Sequence, residues 1–204
     1  MLRLFKRRPR VKDLFRVDHN RLNIADEEQF LSDPLNLLRL YEEGLRTGLL
    51  LHPDAMRLVA ANLHLIDDKT RNDIEAVRIF LDLLLKHGNP ERALRRMNET
   101  GVLGAFIPEF DRIVALMQFN MYHHYTVDEH TIHAISVLAQ IERGELEEDL
   151  PVASSILKDG VNRKVLYVAL LCHDLGQGRD EDHSLLGARI GREVATRLGL
   201  QQKD

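Results

Sequence analysis

Residues 163–178 read RKVLYVALLCHDLGQG, and this stretch decides the fold that we expect. Apolar side chains occupy the whole circumference of a helix over 165–172, which is typical of a helix buried on every side. Asn162 can cap the start of this helix, which is expected to run to Asp174 and to be closed by Gly176. The stretch therefore predicts an all-α domain packed around a central helix.

The predicted central helix ends in the pair His173-Asp174. A carboxylate at a helix C-terminus opposes the helix dipole, and a charge at the end of a buried helix needs a partner. A metal ion would meet both needs, because it supplies positive charge and binds the neutral imidazole beside it. Asp174 would be equally well accommodated if it were exposed to solvent or formed a salt bridge with Arg179. The local sequence leaves open whether Asp174 binds a metal ion or is accommodated in one of these other ways.

Two further histidines are candidates for the same site. His130 follows a predicted capping box of Thr126 and Glu129 and faces the apolar side of a helix that runs to about residue 143, where a histidine is more often a core residue. His183 comes just before a last helix whose small residues, at every fourth position, allow close packing on a neighbour. Three histidines and one aspartate on adjacent helices would suit Mn, Mg, Fe or Zn.

The rest of the chain predicts a hairpin followed by helices. Residues 13–25 alternate apolar and polar side chains around the turn-like Asp18-His19-Asn20, and a lone hairpin must pack on something else to be stable. The stretch 144–161 is expected to be a mostly exposed connection. Helices are predicted, from caps and apolar spacing, at about 34–47, 53–65, 70–87, 90–100 and 109–118.

Composition narrows the class of protein. The chain has 204 residues, 44% of them hydrophobic, and a formal net charge of −4, which argues against a nucleic-acid or membrane binder. Basic residues crowd the first dozen positions, as expected of a solvated tail. The single cysteine, Cys172, excludes an intramolecular disulfide, and no apolar run is long enough to span a bilayer. We expect a cytoplasmic protein.

Long strings around the candidate residues resemble one family over nearly the whole chain. FIPEFDRIVALMQFNMYHHYTVDEHT at 106–131 and ALLCHDLGQGRDEDHSLLGA at 169–188 are similar to the central region of bacterial PII uridylyltransferase/uridylyl-removing enzymes. PERALRRMNETGVLG at 90–104, FRVDHNRLNIAD at 15–26 and DPLNLLRLYEEG at 33–44 fit the same family. The adjacent His-Asp pair alone is a weak signal, whereas these strings are specific.

The resemblance implies a division into three parts. Residues 1–25 would be a basic tail and the hairpin remnant of a preceding nucleotidyltransferase domain, 26–118 a helical linker block, and 119–204 part of an HD-type phosphohydrolase domain. In this family the HD domain removes UMP from a tyrosine of the signalling protein PII in nitrogen regulation, by metal-assisted hydrolysis, while ACT domains sense glutamine. The chain is expected to contain neither the nucleotidyltransferase motif nor the ACT domains.

The resemblance also implies roles for individual residues. His130 would be the first metal ligand, His173 and Asp174 would be ligands and catalytic residues, and His183 would be a further ligand or phosphate contact. Gln177, where the family usually has lysine, would contact phosphate as a neutral donor. Mn or Mg is the expected cofactor, with Fe or Zn as alternatives. The pattern continues to an aspartate on a later helix, which the terminal Asp204 does not replace, so we expect weak metal binding and little or no hydrolysis by this chain alone.

Two other interpretations stay open. The chain could be an HD phosphohydrolase acting on free nucleotides, such as a cyclic dinucleotide or an alarmone, although the long strings argue against this. It could also be a non-catalytic helical interaction module with a degenerate site, which Gln177 and the early stop favour.

Overall fold

The computed structural model describes residues 10–117, 125–178 and 183–201, which are mostly helical as predicted. The strands are β1 (Phe15–Asp18), β2 (Arg21–Ile24) and β3 (Leu50–Leu51). The helices before residue 117 are α1 (Glu27–Leu31), α2 (Asn36–Thr47), α3 (Pro53–Ala61), α4 (Asp68–Arg71), α5 (Ile74–Leu85), α6 (Pro90–Thr100), α7 (Val102–Phe106) and α8 (Pro108–Asp111), with a 3-10 turn at Leu63–Leu65. Those that follow are α9 (Val127–Glu142), α10 (Pro151–Lys158), α11 (Arg163–Cys172) and α12 (His183–Arg197).

The predicted N-terminal hairpin is present and packs on the helices. Strands β1 and β2 are antiparallel, with Phe15 opposite Ile24, and their turn places His19 and Asn20 in the left-handed region at φ 47° and 60°. Strand β2 also pairs in parallel with β3, which makes a three-stranded sheet. Phe15 lies edge-on to Phe30 of α1, with ring centroids 6.2 Å apart, so the hairpin is part of the same core as the helices around it.

Helices α2, α5 and α6 form the centre of the first helical group. Their apolar faces meet in a core that excludes water completely from Leu37, Phe80 and Leu94. The predicted bounds of α6 are confirmed, and Gly101 ends this helix with a left-handed φ of 86°.

The prediction of a helix over 109–118 is wrong. Helix α8 ends at Asp111, and Ala115 adopts a left-handed φ of 57°, which an α-helix does not accommodate. The chain then extends, and Met117 forms a β-bridge with Thr126 while the carbonyl of Leu116 accepts the backbone N–H of Val127 at 2.9 Å. This segment therefore supports the start of α9 instead of extending α8.

The stretch 144–161 also differs from the predicted connection, because it contains helix α10. Pro151 opens this helix at a position where its missing N–H costs nothing. The prediction of exposure holds for part of it, since Val152 and Ile156 are largely solvent-accessible while Ser154 is buried.

Helices α9, α11 and α12 carry the candidate site residues. Helix α11 packs on α5, α9 and α12, and Arg197 of α12 donates to the carbonyl of Phe106 at 2.8 Å. Burial on every side of α11 is wrong: Tyr167 and Leu171 are buried, but Ala169 is exposed and lines a groove between α11 and α12. No helix in the described part of the chain is long and apolar enough to cross a membrane.

Candidate metal centre

The structure brings together three of the four predicted metal ligands, His130, His173 and Asp174, which we call the candidate metal centre. One ligand atom from each residue lies within 4.8 Å of the other two. Oδ2 of Asp174 is 3.0 Å from Nε2 of His173 and 3.7 Å from Nε2 of His130. The two imidazole rings are 5.6 Å apart between centroids. The three side chains thus face one common point.

Two packed helices place these side chains. His130 lies in the first turns of α9, while His173 and Asp174 directly follow α11, whose start is capped by Asn162 as predicted, with Oδ1 accepting from the N–H of Val165 at 3.2 Å. At the other end of α9, Glu142 accepts from the hydroxyl of Tyr167 at 2.7 Å. This contact ties α9 to α11 at the end of α9 that is away from the centre.

The backbone of α11 sets the protonation of the His173 ring. Nδ1 of His173 lies 2.5 Å from the carbonyl oxygen of Leu170, which has no partner within the helix because it belongs to the last turn. A proton on Nδ1 satisfies this carbonyl, so Nε2 is the nitrogen that faces Asp174; it donates to Oδ2 when the ring is protonated and offers a lone pair to a cation when the ring is neutral. An imidazole held this way is ready to bind a cation through Nε2.

Asp174 is held by hydrogen bonds at both oxygens. Oδ1 accepts from the side-chain amide of Gln177 at 2.9 Å, which leaves Oδ2 directed at the histidines. The hydrogen bond from His173, together with that from Gln177, holds the pKa of Asp174 below its usual value, and the same bond to Asp174 raises the pKa of His173. The carboxylate is therefore ionised at neutral pH.

The donor set fits a divalent cation. Two imidazole nitrogens and one carboxylate oxygen are ligands that Mn, Fe and Zn accept, and Mg accepts the oxygen. The side chains of His130 and His173 are 31% and 35% exposed and that of Asp174 is 15% exposed, so the centre is recessed but open to solvent. A cation held here would leave positions for water and for a phosphate oxygen.

Other sequence candidates are placed differently. His183 is the first residue of α12, but its side chain lies outside the described residues, as does Arg179. The capping box is wrong, because Thr126 makes no side-chain cap bond and Glu129 pairs with Arg95 of α6 instead. One of the two amide protons of Gln177 binds Asp174, a contact that its predicted phosphate role did not include.

A second group of three, the hairpin cluster (Asp18, His19, His52), was not expected from the sequence. Its ligand atoms also lie within 4.8 Å of one another. Oδ1 of Asp18 is 2.7 Å from Nδ1 of His19, and Oδ2 is 4.0 Å from Nε2 of His52. His52 is the residue that caps α3, with Nδ1 accepting the backbone N–H of Asp54 at 3.1 Å. No sequence pattern indicated this cluster, because Asp18 and His19 lie at a hairpin turn while His52 caps a helix that is distant in the chain.

Comparisons with known proteins agree with this architecture. Residues 15–106 match the family described as "Uridylyltransferase GlnD third domain". Residues 127–204 match the family described as "HD domain". The chain therefore contains a third domain of this uridylyltransferase family and an HD domain. The candidate metal centre lies within the HD match, on α9 and at the end of α11.

Three curated relatives share the name "Bifunctional uridylyltransferase/uridylyl-removing enzyme". The protein from Ruegeria pomeroyi is 72% identical over 202 residues, or 99% of this chain. The protein from Cereibacter sphaeroides is 66% identical over 98% of the chain, and that from Azospirillum brasilense is 46% identical over 94%. The chain spans only 21–22% of the length of these relatives.

Two features that shape the centre were absent from the sequence predictions. The bond between His173 and Leu170 could have been anticipated, because a carbonyl three residues earlier is unpaired at a helix end. The contacts of α9 with α6 could not, because Arg95, Asn98, Asp128 and Glu129 read as ordinary surface residues of two separate helices.

Proposed function

We propose that the HD domain of this chain holds a divalent cation between His130, His173 and Asp174 and hydrolyses a phosphodiester. The observation that carries the proposal is the convergence of two Nε2 atoms and one carboxylate oxygen, with the Nδ1 of His173 occupied by the carbonyl of Leu170. When bound, the cation would polarise a phosphoryl oxygen and lower the pKa of a water. Mn or Mg is the cation that we propose first, with Fe or Zn as alternatives.

The residues of the chain have separate tasks in this proposal. His130 and His173 bind the cation through Nε2. Asp174 binds it through Oδ2 and, as an ionised carboxylate, orients the attacking water by accepting its hydrogen bond. Gln177 keeps Asp174 in this orientation through Oδ1 and retains one amide proton for a phosphate oxygen. His183 is proposed as a further ligand or phosphate contact.

The proposed substrate is UMP linked to a tyrosine of the PII signalling protein. The shared name of the relatives includes the removal of uridylyl groups, and an open centre can accept a phosphodiester that protrudes from a protein surface. In the longer proteins, regulatory domains would make this removal respond to glutamine. We propose a cytoplasmic location and a domain division near residue 118.

The test uses a full-length enzyme that contains this segment. The double change His173→Ala and Asp174→Ala is expected to abolish release of UMP from uridylylated PII while uridylyl transfer to PII stays measurable. Chromatographic detection of UMP follows the first reaction, and incorporation of labelled uridylyl groups follows the second. Asp18→Ala, in the hairpin cluster, is the matched control and is expected to change neither. Survival of UMP release in the double variant would refute the site.

For the chain of 204 residues alone we expect weak cation binding and slow or no turnover. Only three protein donor atoms converge in the described part of the chain, whereas Mn and Mg take six ligands, so water must complete the coordination. A panel of free nucleotides offered to the full-length enzyme tests the alternative substrate class. Turnover of a cyclic dinucleotide at a rate matching that of uridylylated PII would favour that alternative.

A further inference from the structure

Helix α6 of the third domain makes a continuous polar contact with α9 of the HD domain. We call it the α6–α9 contact, and it joins Glu91, Arg95 and Asn98 of α6 to Asp128, Glu129 and Ser136 of α9. We infer that this contact positions His130, so that the third domain sets the cation affinity of a centre that it does not touch. The inference rests on the proposed function, because it assumes that the centre binds a cation.

Asp128, which pairs with Asn98, is the most deeply buried residue of the contact. Asp128 is 4% exposed, and its Oδ2 accepts from the side-chain amide of Asn98 at 2.9 Å. Its Oδ1 has no hydrogen-bond partner among the described residues. A buried carboxylate is costly unless it is hydrogen-bonded, so this donor from α6 helps to hold the first turn of α9, together with the bridge between Met117 and Thr126.

Two further links extend the contact along α9. Arg95 binds Glu129, next to Asp128, and also pairs with Glu91 on its own helix at 2.8 Å. Glu91 in turn accepts from the hydroxyl of Ser136 at 2.5 Å, two turns further along α9. Contacts at two heights on the helix restrict both its rotation and its sliding along its axis.

The geometry of a helix connects this contact to the centre. Asp128 and His130 are two residues apart, which places them about 200° apart around the helix axis. Asp128 therefore faces α6 while His130 faces Asp174, and α9 lies between its anchor and its ligand. A rotation of about 10° would move an imidazole nitrogen roughly 7 Å from the axis by about 1 Å, which is more than a preorganised site tolerates.

Helix α11, which carries the side of the centre opposite His130, is held by contacts that do not involve α6. Glu142 of α9 binds Arg163 at 3.0 Å and Tyr167 at 2.7 Å, which holds α11 and hence His173. With the far end of α9 tied to α11, loss of the anchor at Asp128 would release mainly the end that carries His130. A role in folding alone would lower stability without altering the affinity of the folded centre.

The experiment measures Mn²⁺ affinity of folded variants by the paramagnetic resonance of free Mn²⁺, with thermal unfolding recorded for each variant. Asn98→Leu is expected to weaken Mn²⁺ binding by about 10-fold to 100-fold, the range found when residues that orient metal ligands are lost. The exchange Asn98→Asp with Asp128→Asn keeps the net charge and restores a donor opposite a carboxylate, so it should recover most of the affinity. Recovery by exchange would show that the bond itself matters.

A matched pair of arginines on α6 provides a second measurement in case Asn98→Leu does not fold. Arg95→Gln removes the link to Glu129 and should weaken Mn²⁺ binding several-fold, whereas Arg96→Gln, whose arginine pairs with Glu99 on the same helix, should leave it unchanged. Folded Asn98→Leu or Arg95→Gln protein with wild-type affinity would overturn the inference and leave the proposed function intact. A wild-type chain that binds no Mn²⁺ would overturn both.

Discussion

The candidate metal centre and the hairpin cluster contain the same kinds of residue, two histidines and one aspartate. In both, one ligand atom from each residue lies within 4.8 Å of the others. The two groups differ in what the Nδ1 nitrogen of one histidine contacts, His173 in the first group and His52 in the second. In the candidate metal centre, Nδ1 of His173 faces the carbonyl of Leu170, so a neutral ring presents the lone pair of Nε2, the nitrogen 3.0 Å from Asp174, to a cation. In the hairpin cluster, Nδ1 of His52 accepts a backbone N–H, so the lone pair of this nitrogen is already engaged, and Nε2 is the nitrogen that faces Asp18.

The two groups also differ in how firmly the surrounding structure holds their side chains. The side chain of His19 is 88% exposed and sits at a hairpin turn, whereas His173 ends a helix that packs on three others. Asp18 has its carboxylate engaged by His19, while Asp174 keeps one oxygen directed at two rings and has the other fixed by Gln177. We therefore expect a cation to bind at the candidate metal centre and not at the hairpin cluster, because the side chains of the centre are better supported.

The largest expected effect is a loss of Mn²⁺ affinity when the candidate metal centre is changed and the hairpin cluster is left intact. Asp174→Ala removes the only carboxylate of the candidate metal centre, and we expect the Mn²⁺ affinity of the chain to fall by more than about 100-fold, beyond the loss typical of residues that only orient ligands. Asp18→Ala is expected to leave the affinity unchanged. Isothermal titration with Mn²⁺ compares the two, and an equal loss in both variants would contradict the distinction.

A smaller effect concerns the support of the centre at the far end of α9. Burial opposes ionisation of Glu142, but hydrogen bonds from Arg163 and Tyr167 outweigh it and hold the pKa of Glu142 below its usual value. Ionised Glu142 therefore contributes its full stabilising free energy above a pH of about 4.3, the pKa of a glutamate in the unfolded chain. This contribution is lost as the pH falls through the lower pKa that Glu142 has in the folded protein. Glu142→Gln should therefore reduce the free energy of unfolding by about 1–2 kcal/mol at neutral pH, since hydrogen bonds to a charged group are lost.

Urea unfolding at several pH values checks this prediction. The difference between wild type and Glu142→Gln should shrink as the solution becomes acidic, because protonation of Glu142 removes the same interactions in the wild type. Glu145→Gln, at an exposed carboxylate beside Arg143, is the control and should change stability little. If the difference in free energy of unfolding between wild type and Glu142→Gln stayed constant with pH, the loss of stability would be due to packing and not to the charge of Glu142.

The smallest expected effect tests the structural role of His52. Because Nδ1 of His52 caps α3, His52→Ala should lower the free energy of unfolding by about 1 kcal/mol, whereas His52→Asn, which keeps a cap acceptor, should cost less. Neither variant should alter Mn²⁺ affinity. Weaker cation binding by both variants would show that the hairpin cluster, too, takes part in binding.

Local signals in the sequence fared well where one residue controls one backbone feature. Asn162 caps α11, Pro90 and Gly101 bound α6, and Asp18 to Asn20 form the turn of the hairpin. The same reasoning failed over 109–118, because the apolar spacing there serves a chain that bends at Ala115 to meet Thr126. Apolar composition likewise predicted complete burial of α11, although burial depends on which neighbours surround a helix.

The sequence by itself determined the positions of the longer helices, the His-Asp pair at the end of α11 and the family of the chain, because caps, periodicity and specific strings are encoded locally. It could not decide between a cation site and a buried ion pair for Asp174. Only the tertiary structure brought His130 to Asp174, turned the Nε2 of His173 towards both and anchored α9 on α6. Those features depend on distances between residues far apart in the chain, which packing fixes and local sequence does not.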